Sequence, residues 1–249
     1  MSEFRASRLG RLSWTMFDWA NQPFYTLIMT FVFAVYFSDV FITGGDGAQK
    51  FTLTQTISGI LIAVLSPILG SISDLRGNRK RWMGFWSILF VIGMALLWYA
   101  YPAAPNGIWL VMFGLILAST AVGFGEVFNN SMITHIETKE NMGLLSGLGY
   151  GLGYIAGLIG LILFLILFVW PGGETNSLYG LNTSEYEHIR IIGPLCAAWY
   201  AFFIIPLFLF TPDTKSNQIS ILSSIKQGTT NLVNTFIELK NFKNIFIFL

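Results

Sequence analysis

Gly70-Ser71-Ile72-Ser73-Asp74-Leu75-Arg76-Gly77-Asn78-Arg79-Lys80 closes one apolar run, Thr52–Ser73, and opens after Arg81 onto a second, Trp82–Tyr101. Gly70 permits close packing at a helix end. Asp74 can cap free backbone N–H groups or meet the positive end of a neighbouring helix. Gly77 allows a tight turn, and the basic residues around it mark one side of a membrane. A merely positive loop between two apolar helices would not need the spacing Gly-x-x-x-Asp-x-x-Gly.

Working outward, the same pattern of long apolar runs bounded by charge, Gly or Pro recurs along the chain. Of its 249 residues, 54% are apolar, 16% aromatic and 11% charged, against about a quarter charged in soluble globular domains. That excludes a disordered chain, a disulfide scaffold and an ordinary cytosolic enzyme. Six runs are long enough to cross about 30 Å of hydrocarbon, at residues 14–42, 52–73, 82–101, 108–130, 144–169 and 191–210. Open strands would leave backbone groups unpaired in lipid, so the fold class is all-α integral membrane. Residues 1–211 form the bundle, and 212–243 read as a linker with an amphipathic segment. The apolar residues 244–249 read as the start of a truncated seventh span. Twelve of the fourteen Lys and Arg fall on the N-terminal side of this topology, with Lys50 and Arg190 opposite, which places the N-terminus in the cytoplasm.

A net charge of +1 gives no basis for nucleic-acid binding, and Cys196 with two histidines gives none for a thiolate or histidine metal site. No cofactor is expected. His188, beside Glu187 and Arg190, reads as a solvated loop residue. With no paired nucleophile and base, an enzyme is the poorest reading.

Acids inside spans cost about 2.5–3.5 kcal/mol each on insertion scales, so each needs a reason. Asp18, Asn21, Gln22 and Tyr25 share one face of the first helix, which either lines a polar cavity or lets Asp18 snorkel to the headgroups and fix the helix entry. Pro23 beside it removes a backbone donor. Thr26 and Thr30 continue the span and are further pathway candidates. In the fourth span, Ser119, Gly123, Glu126 and Asn130 form a face with Asn129 adjoining. Glu126 reads as the partner of Arg76 or Arg79, or as a proton-carrying site. Gly149, Gly153 and Gly157 repeat every four residues, the small-residue pattern of close helix crossing.

The loop from Gly70 to Lys80 resembles the signature loop of the major facilitator superfamily, with Leu75 and Asn78 standing where basic residues are usual. Trp14-Thr15-Met16-Phe17-Asp18-Trp19-Ala20-Asn21, Tyr36-Phe37, Phe128-Asn129, Ser146-Gly147-Leu148-Gly149 and Gly153-Tyr154-Ile155-Ala156-Gly157 are similar to its vacuole-effluxer-like branch, related to an autophagy-associated amino-acid effluxer. The resemblance covers only the N-terminal half of such proteins. It implies secondary transport by alternating access in an integral multi-pass protein, in the plasma (inner) membrane if bacterial. The implied partners are the lipid bilayer, a small-molecule solute such as a neutral amino acid, and a missing C-terminal six-helix half, in the same chain or another. Asp74, Arg76, Arg79 and Glu126, with Gly70 and Gly77, are then expected to form a charged gate. Asp18, Asn21, Tyr25, Thr26, Thr30 and Asn129 are expected on the pathway. The competing reading is a six-span scaffold without transport activity.

Overall fold

The computed structural model describes residues 5–102, 107–170 and 178–213, with 223 and 230. The expected segments 214–243 and 244–249 lie otherwise outside the described residues. Among the described residues, six helices are long and apolar enough to span a membrane: α1 (Arg8–Phe41), α2 (Gly47–Ser73, continuing as helix to Arg76), α3 (Arg79–Tyr99), α4 (Gly107–Ile136), α5 (Lys139–Val169) and α6 (Glu187–Phe210). Most of them run beyond the apolar limits expected from sequence. Ser7 explains one case: its Oγ accepts from Gly10 N at 3.1 Å and caps α1 well before the apolar run begins. At the same end of the bundle, α4 continues six residues past Asn130 to Ile136, whose carbonyl accepts from Ala6 N at 3.0 Å. Helical backbone is self-satisfied, so it continues through polar sequence until a cap or turn stops it.

The most extensive packing joins the chain neighbours α3 and α4, and the next joins α1 to the distant α5. Helix α4 lies between α2 and α3, while α1 lies against α5 and α6, and α3 against α6. Large apolar side chains such as Ile60, Ile88, Phe113, Leu158 and Phe202 point outward. In water they would drive association, whereas hydrocarbon is their matched solvent.

Helix α1 changes character at Pro23. Arg8–Pro23 is α-helical, Phe24–Phe31 is π-helical, and a short α-turn at Phe33–Tyr36 leads into a second π segment, Phe37–Phe41. Pro23 has no N–H to give to the carbonyl of Trp19, four residues back. The indole N–H of Trp199 on α6 supplies one instead, at 3.2 Å, and the two indoles stack with centroids 6.2 Å apart. That bond accounts for a tryptophan placed inside a span rather than at an interface.

Helices α3 and α4 cross backbone to backbone. A Cβ on Gly93 would lie 2.7 Å from Gly114 O and 2.8 Å from Ala118 N, and one on Gly114 would lie 2.8 Å from Gly93 O. Backbone cannot swing aside as a side chain can. Gly114→Ala is therefore expected to destabilise the bundle by about 1–3 kcal/mol, read as a lowered melting temperature in detergent. An unchanged melting temperature would refute the tight crossing.

The end of the bundle that carries most of the basic residues, the basic end, is tied together by polar bonds. Arg5 Nε and Arg11 Nη1 meet Glu137 Oε1 and Oε2 at 2.7 and 2.6 Å, and the Glu137 side chain is 3% exposed. Burial works against its charge, but the N–H of Thr138 and the guanidinium groups of Arg5 and Arg11 hold the carboxyl below its ordinary range. A carboxyl depressed by folding stabilises the fold above its unfolded value, near 4.5, and loses that contribution as pH falls through the lower folded value. Glu137→Gln should therefore lower the melting temperature by about 2–4 °C at pH 7 and by far less at pH 3. An equal deficit at both values would exclude the charge as the cause.

At the same end, Asp213 Oδ1 and Oδ2 accept from Arg79 N and Lys80 N, each at 3.0 Å, and so cap the start of α3. From its spacing, Asp74 is the residue expected to cap free N–H groups or to meet the positive end of a neighbouring helix. That residue lies in the helix leading from α2, and its side chain lies outside the described set. The turn between them needs Gly77, at φ +63° and ψ −150°, followed by Asn78 in the left-handed region.

The opposite end closes on Arg190, which is fully buried, while His188, expected as a solvated loop residue, is half-buried in the same first turn of α6. Arg190 Nε and Nη2 donate to Trp98 O at 2.8 and 2.6 Å, and Nη1 donates to Glu185 O at 3.2 Å. Its guanidinium also lies 4.7 Å from the Trp98 ring centroid and 3.3 Å from that of Tyr101.

Candidate functional site

A polar cavity of ≈ 690 Å³ opens between α1, α4 and α5. Helix α1 contributes Trp14, Asp18, Asn21, Gln22 and Tyr25; α4 contributes Glu126 and Asn130; α5 contributes Ser146, Gly147, Tyr150 and Tyr154. The α1 residues follow from helical periodicity, since positions i, i+3, i+4 and i+7 share a face. Asp18 and Glu126 each lie ten residues from the basic end of their helices, about 15 Å at 1.5 Å per residue. Both acids thus stand well inside their helices and at the cavity.

Glu126 Oε1 accepts a hydrogen bond from Tyr25 Oη at 2.7 Å, and its carboxylate lies within Coulombic reach of Asp18. This corrects the expected pairing: Glu126 meets Tyr25 rather than Arg76 or Arg79. Arg79 is buried and donates through Nε to Ser73 Oγ at 3.1 Å, while Arg76 Nε is buried without a hydrogen-bond partner. The expected cluster of Arg76, Arg79 and Glu126 is thus not assembled in this structure.

The α4 face divides along its length. Ser119 donates to Gln55 Oε1 at 3.3 Å, and Gly123 is packed under Ile62, so that part is closed by α2. One helical turn on, Glu126 and Asn130 face the cavity. Three expected pathway residues do not line it. Thr26 packs where a Cβ on Gly157 would collide with its hydroxyl. Thr30 is exposed and donates to Tyr25 O at 2.8 Å. Asn129 is buried behind the wall, and its carbonyl accepts from Trp14 Nε1 at 2.8 Å.

The α5 glycines shape the floor. A Cβ on Gly149 would collide with Asp18 Oδ2, and one on Gly153 would come 3.2 Å from Asp18 O. These positions bring α5 onto the acid-bearing turn of α1. Gly70, by contrast, has nothing within 4 Å of where its Cβ would stand, so the close packing expected there is not made among the described residues.

Tyr150 and Tyr154 were not legible as site residues. Their rings meet edge to face at 4.9 Å and their hydroxyls lie 3.1 Å apart. Their i, i+4 spacing beside the glycine stripe was the available signal. Both are exposed, as are Asn130 and Ser146, so the cavity opens sideways from the bundle on the faces of α4 and α5. Among the described residues, no Lys, Arg or His lines it.

A family profile described as Major Facilitator Superfamily matches residues 12–247. Over 246 residues the chain is 27% identical to a Bacillus subtilis (strain 168) protein described as "Uncharacterized MFS-type transporter YxiO". The aligned region covers 95% of this chain and 54% of that protein, so the chain spans about half the length of the curated relative it matches.

Proposed function

We propose that this chain, which belongs to the major facilitator superfamily, forms the N-terminal six-helix bundle of a secondary transporter whose solute passes through the cavity between α1, α4 and α5. The observation that carries this reading is the placement of two carboxylates, three tyrosines and three side-chain amides around one cavity inside an otherwise apolar bundle. Burying such groups in lipid is costly without a polar occupant or water. A wall open on one side is what one bundle contributes when substrate binds between two.

On this reading the exposed faces of α4 and α5 are covered by a second six-helix bundle, and Gly70 belongs to the same covered surface. The loop Gly70–Lys80, held by Asp213, is the part of the basic end that rearranges as access alternates. Resemblance to the vacuole-effluxer-like branch supports a neutral amino acid as the solute. The test is uptake of labelled neutral amino acids into proteoliposomes of the intact transporter, with and without a pH gradient. Uptake that is saturable and lost in Asp18→Asn supports the reading. Uptake indifferent to Asp18→Asn would remove this cavity from the pathway.

A further inference from the structure

We infer that this wall of the cavity recognises the ammonium group of an amine-bearing solute, and that the carboxylate of an amino acid contributes nothing to binding at it. The inference rests on the transport reading above and names the chemistry of its solute.

Charge balance comes first. Asp18 and Glu126 both line the cavity, and among the described residues none of its other lining residues is basic. Two carboxylates in a low-dielectric setting favour a cation and repel an anion. The rest of the wall fits a nitrogen cation. Trp14, Tyr25, Tyr150 and Tyr154 present aromatic rings, whose faces attract ammonium groups.

A second, independent feature points to an organic ligand. Asn21 is 2% exposed, lines the same cavity, and its side-chain nitrogen has no hydrogen-bond partner. A buried amide donor left unpaired costs about 1–3 kcal/mol, which a polar atom on the solute would recover. A bare divalent metal is a poorer occupant. Such ions take about six oxygen ligands, often several carboxylates, and no group of three Asp, Glu, His or Cys forms a metal-holding cluster among the described residues. The cavity's ≈ 690 Å³ is also far larger than an ion requires.

Three probes of similar shape separate the contributions: phenethylamine, with the ammonium alone; 3-phenylpropionate, with the carboxylate alone; and phenylalanine, with both. Binding to the purified intact transporter is measured by calorimetric titration at pH 7. Phenethylamine is expected to bind at least tenfold more tightly than 3-phenylpropionate and no more weakly than phenylalanine. Glu126→Gln should weaken phenethylamine at least tenfold and leave 3-phenylpropionate unweakened. Failure of phenethylamine to bind, equal binding of 3-phenylpropionate, or amine binding indifferent to both Glu126→Gln and Asp18→Asn would each overturn the inference. Phenethylamine that binds as expected but is never transported would instead overturn the transport reading and leave the recognition standing.

Discussion

Glu126→Gln in the intact transporter is expected to lower the initial rate of solute uptake at least tenfold, with the protein still folded. Glutamine has the same shape and keeps an oxygen that can accept from Tyr25, now 2.7 Å away, so packing around α4 is conserved. What is lost is one of the two negative charges lining the cavity. A tenfold effect corresponds to about 1.4 kcal/mol, within the worth of one charge-assisted bond in a partly desolvated site. Tyr25→Phe separates the two contributions, because it deletes the hydrogen bond and leaves the charge. It should cost only about fivefold, since one such bond is worth roughly 1 kcal/mol net. Equal losses in the two variants would mean that the Tyr25–Glu126 bond, not the charge, is what matters.

Arg190→Ala is expected to cost about 3 kcal/mol of stability, the largest effect outside the cavity. Its guanidinium donates twice to Trp98 O and once to Glu185 O, and is fully buried. Hydrogen bonds from charged donors contribute about 1.5–3 kcal/mol each at best, and their sum is reduced by the cost of burying the charge. Alanine also removes the planar group lying against Trp98 and Tyr101. Arg190→Lys should not rescue, because an ammonium cannot make the same fork of bonds or present a flat face. The measurement is thermal unfolding in detergent. A lysine variant as stable as the parent would show that charge alone suffices.

The six spans and their order were legible because each apolar run is long and bounded by charge. The helix ends were not. Ser7 and the polar stretch beyond Asn130 carry little hydropathy signal, yet they set where α1 begins and α4 ends. The α1 face of the cavity followed from periodicity, as with Asp18, Asn21 and Tyr25. The α5 face did not, because which helix packs on α1 depends on tertiary contacts that skip three helices along the chain. The Gly93–Gly114 crossing was hidden because neither glycine belongs to a repeat. The tertiary limit also hid Trp199, whose bond to Trp19 O is meaningful only beside Pro23. Pairing Glu126 with an arginine failed for a related reason: charge complementarity names candidates, but the rotation of α4 points Glu126 at α1.

The central claim is that the cavity between α1, α4 and α5 is a solute pathway open to each side of the membrane in turn. Cys196 is the chain's sole cysteine and is buried, so a Cys196→Ser background permits a single reporter at Ser146, which is exposed and lines the cavity. In right-side-out and inside-out vesicles of the intact transporter, a membrane-impermeant thiol reagent should modify Ser146→Cys from both sides, with solute shifting the balance between them. Modification from one side alone under every condition, or from neither, would contradict the account.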